Sequence, residues 1–178
     1  MKKRTWIAVL VAAALCLAFA APAAAKSPVR PFAGVWHTQD TLVGLPQGVP
    51  APDCPSNAVL RNYGTGAGLF AHLGRTAVSF THCTYMDLGS LVGTFDQGTV
   101  TLTAANGDRL TMREQGTFQL TLNPNPGPPY ASSKVQTRWW VTGGTGRFAH
   151  ATGSGMGTGS TDEIASTMTL YLLGMIRY

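Results

Sequence analysis

The sequence predicts an all-β domain of about eight strands, arranged as a barrel in preference to a sandwich. Three observations predict it. No stretch after residue 25 sustains an apolar period of 3.6 residues. Short runs alternate apolar and polar residues instead, and glycine, proline or asparagine bounds them. Glycine also recurs inside several of the runs, as expected where barrel strands must bend sharply.

The chain opens on a different kind of segment. Lys2, Lys3 and Arg4 precede an apolar run of 15 residues, Trp6 to Ala20. A membrane-spanning helix needs about 20 such residues. Ala23 and Ala25 fit an A-x-A cleavage site, so residues 1–25 are expected to be a secretory signal removed before Lys26. Leu15 is too bulky to precede a lipidated cysteine at Cys16. The expected product is secreted or periplasmic and free of the membrane after cleavage; the alternative is a retained anchor. Of the 13 Lys and Arg residues, three leave with the signal, so 10 face 8 acidic ones. They are scattered, which argues against nucleic acid or an anionic membrane as partner.

The elements follow in order. Val35–Thr38 is a first short strand. Gln39–Asn57 is a long loop with four prolines. Residues 26–57 thus form an N-terminal strand and Pro-rich loop, ahead of a barrel domain over 58–178. Ala58–Tyr63 leads through a glycine stretch to Leu69–Gly74. In Thr76–Cys83, Val78, Phe80 and His82 share one face. Val100, Leu102 and Ala104 alternate with threonines up to Asn106-Gly107, a hairpin signal requiring φ > 0; Asp108–Glu114 returns. In Gly116–Leu122, Phe118, Leu120 and Leu122 face together. Asn123–Tyr130 holds four prolines and is a loop. Lys134–Val141 is a strand with Trp139 inward and Trp140 outward, and Ile164–Met175 is the last strand.

Gly144-Thr-Gly-Arg-Phe-Ala149 fits G-x-G-x-x-A, a dinucleotide fingerprint that works only where a strand turns into a helix. Four glycines in Thr152–Ser160 argue against a helix there. The segment reads as a glycine-rich turn and bulge region, and no cofactor is expected. Cys54 and Cys83, left after signal removal, are expected to form one disulfide in an oxidising compartment; the alternative is a free reactive thiol. Closing the 28 intervening residues is worth about 3–4 kcal/mol in the chain-entropy model.

Thr142-Gly-Gly-Thr-Gly-Arg-Phe-Ala-His-Ala-Thr-Gly153 resembles the G-G-T-G-x-F-x-x-A-x-G segment of allene oxide cyclases and plant dirigent proteins. Ala71-His-Leu-Gly-Arg-Thr76 and Ala104-Ala-Asn-Gly-Asp-Arg-Leu110 resemble hairpins of secreted bacterial relatives, mostly of unassigned function. The resemblance implies an eight-stranded antiparallel calycin-like barrel, trimeric in many plant members, holding a small apolar ligand. Its plant enzymes steer a reactive intermediate by shape. The family's acidic and asparagine site residues cannot be placed here by motif. Gly143, Gly144, Gly146, Phe148 and Gly153 are expected to be structural.

Candidate site residues come from the inward faces. Phe80, His82, Trp139 and Met168 are expected to line a ligand space. Val78, Phe80, Trp139, Met168 and Leu170 should form one apolar wall on strands that the resemblance puts side by side. His37, His72, His82 and His150 lack metal-ligand spacing, so no metal site is expected. No G-x-S-x-G elbow occurs, so the catalytic residues stay unassigned. Asp162 and Glu163 are adjacent, and strand neighbours point to opposite faces. Arg75, Asp108 and Arg109 suggest an ion pair between hairpins, or a ligand contact at the mouth. An eight-stranded barrel is either packed solid or wide enough for one ligand. The sequence therefore supports a secreted barrel that binds or steers a small apolar molecule, with an isomerase or cyclase as its enzyme version. The alternative is a filled structural or protein-interaction module.

Overall fold

A computed structural model describes residues 27–44, 51–123 and 130–178. The expected signal, residues 1–25, lies outside the described residues, as do 45–50 and 124–129 of the two Pro-rich loops. The fold is all-β. Its strands are β1 (Val29–Gly44), β2 (Leu60–Phe70), β3 (Gly74–Asp87), β4 (Val92–Ala104), β5 (Arg109–Asn123), β6 (Tyr130–Gly144), β7 (Thr152–Asp162) and β8 (Thr167–Arg177). Each strand pairs antiparallel with the next, and β8 pairs back onto β1, closing an eight-stranded barrel. Among the described residues no helix is long and apolar enough to cross a membrane.

Several boundaries differ from expectation, each for a physical reason. β1 spans 16 residues, far beyond Val35–Thr38. Its inward positions run Phe32, Trp36, Thr38 and Asp40, all buried, so polar side chains interrupt the apolar alternation that marks a strand. β1 is a stave of the barrel, which therefore begins well before residue 58. Leu69 belongs to β2, and Asp108–Glu114 and Gly116–Leu122 fuse into the single strand β5. β3 continues past Cys83 to Asp87. The last strand starts at Thr167, because Ile164 lies in the β7–β8 turn.

β7 is the largest correction. The glycine-rich stretch from Thr152 is a strand, with Gly153, Gly155, Gly157 and Gly159 alternating with exposed residues. A Cβ on Gly155 would lie 2.4 Å from the Trp139 ring, and one on Gly157 2.5 Å from Leu172. The inner face of β7 is bare because neighbouring large side chains fill that space.

The Asn106-Gly107 hairpin forms as expected between β4 and β5. Gly107 takes positive φ, at 87°, and Asn106 does not. The Gly107 N–H donates to the Ala104 carbonyl at 2.9 Å, so the turn is not the doubly positive type.

One end of the barrel carries the β2–β3, β4–β5 and β6–β7 connections. Its interior is filled. Phe32 meets the Trp139 ring edge-on at 5.3 Å and stacks on Phe70 at 5.6 Å. Phe148 is fully buried against Tyr178, 4.8 Å between ring centroids. Burying each such side chain stabilises by roughly 1.5–3 kcal/mol. Trp139 is 1% exposed and Trp140 40%, in keeping with strand alternation. Val78, Phe80, Trp139, Met168 and Leu170 do join one core. They do so from β3, β6 and β8, which are not neighbours in the barrel; they meet across the interior and form no single wall.

The Gly143–Gly153 segment caps this filled end. A three-residue 3-10 turn, Gly146–Phe148, joins β6 to β7. Gly146 takes φ 58° with its Cα against Asp108; a Cβ there would fall 1.7 Å from the carboxylate. The Arg109 N–H donates to Thr145 Oγ1 at 3.1 Å, and the Thr145 N–H donates to the Arg109 carbonyl at 2.9 Å. The ion pair at this corner joins Asp108 to Arg147 at 3.5 Å; among the described residues Arg75 and Arg109 form none.

At the opposite end Cys54 and Cys83 are bridged, with Cα atoms 5.7 Å apart. Cys83 points outward from β3 yet is fully buried, because the segment around Ala51 and Ala58 packs over it as a second small core. The disulfide thus fastens the β1–β2 connection to the outside of the barrel.

Candidate functional site

The other half of the barrel is open. There the inward side chains become short or polar, and a cavity of about 260 Å³ remains. Phe118 and Leu120 from β5, Val135 from β6 and Met168 and Leu170 from β8 give it an apolar wall, with Leu60 and Met86 opposite. Asp40 of β1, Asn62 of β2, His82 of β3 and Glu114 of β5 bring polar atoms to it.

His82 marks the boundary with the packed half. Its ring stacks on Phe80 at 5.3 Å and on Phe95 at 4.6 Å, and Phe80 stacks in turn on Trp36 at 6.3 Å. Gly64, opposite on β2, leaves room for this stack. A Cβ there would lie 2.0 Å from the Phe80 ring and 2.8 Å from Asp40 Oδ1. β4 carries a bulge at this level, between Phe95 and Gly98, with Gln97 at φ 52°. Such bulges bend a strand and re-aim its side chains.

The polar groups form one connected set. His82 Nδ1 lies 3.4 Å from Glu114 Oε1, and both residues are buried. Asn62 is the direct cross-strand partner of His82. Thr38 Oγ1 donates to Asp40 Oδ1 at 2.9 Å. Burial pushes the Asp40 carboxyl above the usual carboxylate range. Hydrogen bonding from Thr38 and Asn62 and the nearby His82 act the other way, and the Glu163 charge adds a smaller upward push.

Of the four residues expected to line a ligand space, His82 and Met168 border this cavity. Phe80 lies beneath the cavity within the aromatic stack. Trp139 belongs to the filled half, its indole N–H donating to the Met156 carbonyl at 3.2 Å. His37 faces outward against Thr169 Oγ1 at 2.9 Å, His72 sits in the β2–β3 turn, and His150 is exposed ahead of β7. Leu122 lies beyond the cavity and is exposed, unlike Phe118 and Leu120.

Asp162 and Glu163 also part company, though not as strand neighbours. β7 ends at Asp162, whose Oδ1 accepts the N–H groups of Ile164 and Ala165 at 3.0 and 2.9 Å and shapes the turn. Glu163, in the turn, accepts hydrogen bonds from the hydroxyls of Ser133 and Thr161 beside the cavity.

Asp40, Asn62 and Glu114 are among the lining residues that sequence reasoning missed. Parity could have found two of them. Asp40 is in step with Trp36 and Thr38 on β1, and Glu114 with Leu110 and Met112 on β5. A charged residue on an inward parity is either paired or at a cavity.

Chemically, the arrangement offers an imidazole and a carboxylate in contact, further carboxylates nearby, and an apolar enclosure. No lysine or arginine among the described residues lines it. Among the described residues no three His, Cys, Asp or Glu side chains are grouped to hold a metal ion. Comparison with protein-family models, with curated proteins and with solved structures returned no match to this chain.

Proposed function

We propose that this protein is an exported barrel that binds, or sterically steers, one small and largely apolar molecule in its open half. The observation that carries the reading is the cavity of about 260 Å³, apolar in its walls with a few convergent polar groups. It is near the lower end of the roughly 300–1,000 Å³ usual for ligand sites, so the ligand is small. The signal-like residues 1–25 and the disulfide support a secreted or periplasmic location. The Thr142–Gly153 segment and the closed barrel support kinship with allene oxide cyclases and dirigent proteins. In an isomerase or cyclase version, the His82–Glu114 pair, which lines the cavity, would be a proton-handling group for the bound molecule. The competing reading, a filled structural module, draws on the packed half alone.

Titration with the neutral, fluorescent N-phenylnaphthylamine tests the proposal. Wild type should bind one dye per chain. Ala131→Trp, which places an indole in the cavity, should weaken binding by about tenfold or more. No binding by wild type, or unchanged binding in both Ala131→Trp and Val135→Phe, would leave the structural module as the better account.

A further inference from the structure

The polar character of the cavity is one-sided. Asp40, Glu114, Asp162 and Glu163 line it, and among the described residues His82 is the basic side chain there, with no lysine or arginine. A separate observation concerns acceptors. Asn62 Oδ1 is buried, and no group among the described residues donates to it. Glu114 is 3% exposed, and its His82 contact is long, at 3.4 Å, and serves one oxygen of two.

These acceptors are close together. Asn62 stands directly across from His82, Glu114 touches His82, and Asp40 is influenced by both Asn62 and His82. A buried acceptor left without a donor carries its full desolvation cost. Buried carboxylates call for positive charge as well as donors. Among its described residues the site therefore lacks one kind of group: a charged donor.

Resting on the binding reading above, we infer that the cavity selects a small apolar organic cation, a hydrocarbon body bearing a protonated amine. A primary ammonium carries three donors and no acceptor, matching Asp40, Asn62 and Glu114. The body packs on Phe118, Leu120, Val135 and Met168. An alcohol of the same skeleton supplies a single donor and no charge. A carboxylate of the same skeleton meets like charge.

Octylamine, octanol and octanoate, competed against N-phenylnaphthylamine at neutral pH, separate these cases on the wild-type protein. Octylamine should displace the dye at concentrations about tenfold or more below octanol, because its hydrogen bonds are charge-assisted, and octanoate should be the weakest. The ratio of amine to alcohol affinity should fall several-fold in Glu114→Gln and in Asp40→Asn. Equal binding of amine and alcohol, tightest binding of octanoate, or an amine preference untouched in both variants overturns the inference and leaves the binding reading in place. Failure of the dye and all three octyl compounds to bind overturns both.

Discussion

The two halves of this barrel are built on the same eight strands, yet one is solid and the other hollow. In the solid half the inward positions carry Phe32, Trp36, Phe70, Trp139 and Phe148, and glycines on β7 and β2 give those rings space. In the hollow half the same strands present Asp40, Asn62, Thr84 and Ser133, short or polar side chains that cannot meet across the interior. An eight-stranded barrel stands at the size where side-chain volume alone decides between filling and a ligand space. The fold follows from strand pairing; the cavity follows from which side chains one half leaves out. The solid half supplies stability, and the hollow half spends part of it on buried polar groups.

This contrast can be broken by substitution, and the largest effect belongs to the solid half. Trp139→Ala removes a buried indole that contacts Phe32 and the glycine face of β7. It should cost about 3–5 kcal/mol in denaturant unfolding. A cost below 1 kcal/mol would mean that this half is not packed as described. The next effect lies outside the open half. Replacing Cys54 and Cys83 together by alanine should cost about 2–4 kcal/mol, and intact-mass analysis of the wild-type protein should find both of these thiols alkylated only after reduction. Met168→Ala should cost less than a typical buried methionine, under about 2 kcal/mol, because its side chain already borders an empty space. A cost equal to that of Trp139→Ala would erase the distinction between the halves.

The smallest effect has the opposite sign. The folded-state pKa of Asp40 lies above its ordinary 3.8 because of burial. The folded protein therefore holds that proton more tightly than the unfolded chain. The cost of ionising Asp40 is absent below the unfolded pKa, grows as pH rises through the window between the two values, and is complete above the folded one. Asp40→Asn should raise Tm at neutral pH, and the gain should shrink toward pH 4. A Tm lowered at neutral pH would show that Asp40 stabilises the fold.

The sequence carried the solid half well and the hollow half poorly. Alternation in Val78-Ser-Phe80, Val100-Thr-Leu102 and Trp139-Trp140 assigns inward faces correctly, because large apolar residues occupy them. The same logic fails on β7, where glycines stand at the inward positions and the reason lies in Trp139, on another strand. It fails again at Asp40, where a polar inward residue mimics the start of a loop. The residues hidden from periodicity are largely the residues of the cavity. A binding half-barrel departs from the hydrophobic pattern where it is functional, so its site reads as noise in a one-dimensional pattern. His82 was legible because it continues the face of Val78 and Phe80; Asp40 and Glu114 were open to the same parity argument, and Asn62 had to be placed by the closed sheet.

Methyl NMR with an added apolar probe tests the central claim most directly, since it reports on both halves at once. On titration with N-phenylnaphthylamine, the methyl resonances of Met168, Leu170, Leu120 and Val135 should shift together and saturate. Those of Leu110, Met112 and Ile176 in the packed half should stay in place. Shifts confined instead to the exposed outer side chains Met156, Leu173 and Met175, with Met168 and Leu170 unmoved, would contradict a ligand site inside the barrel.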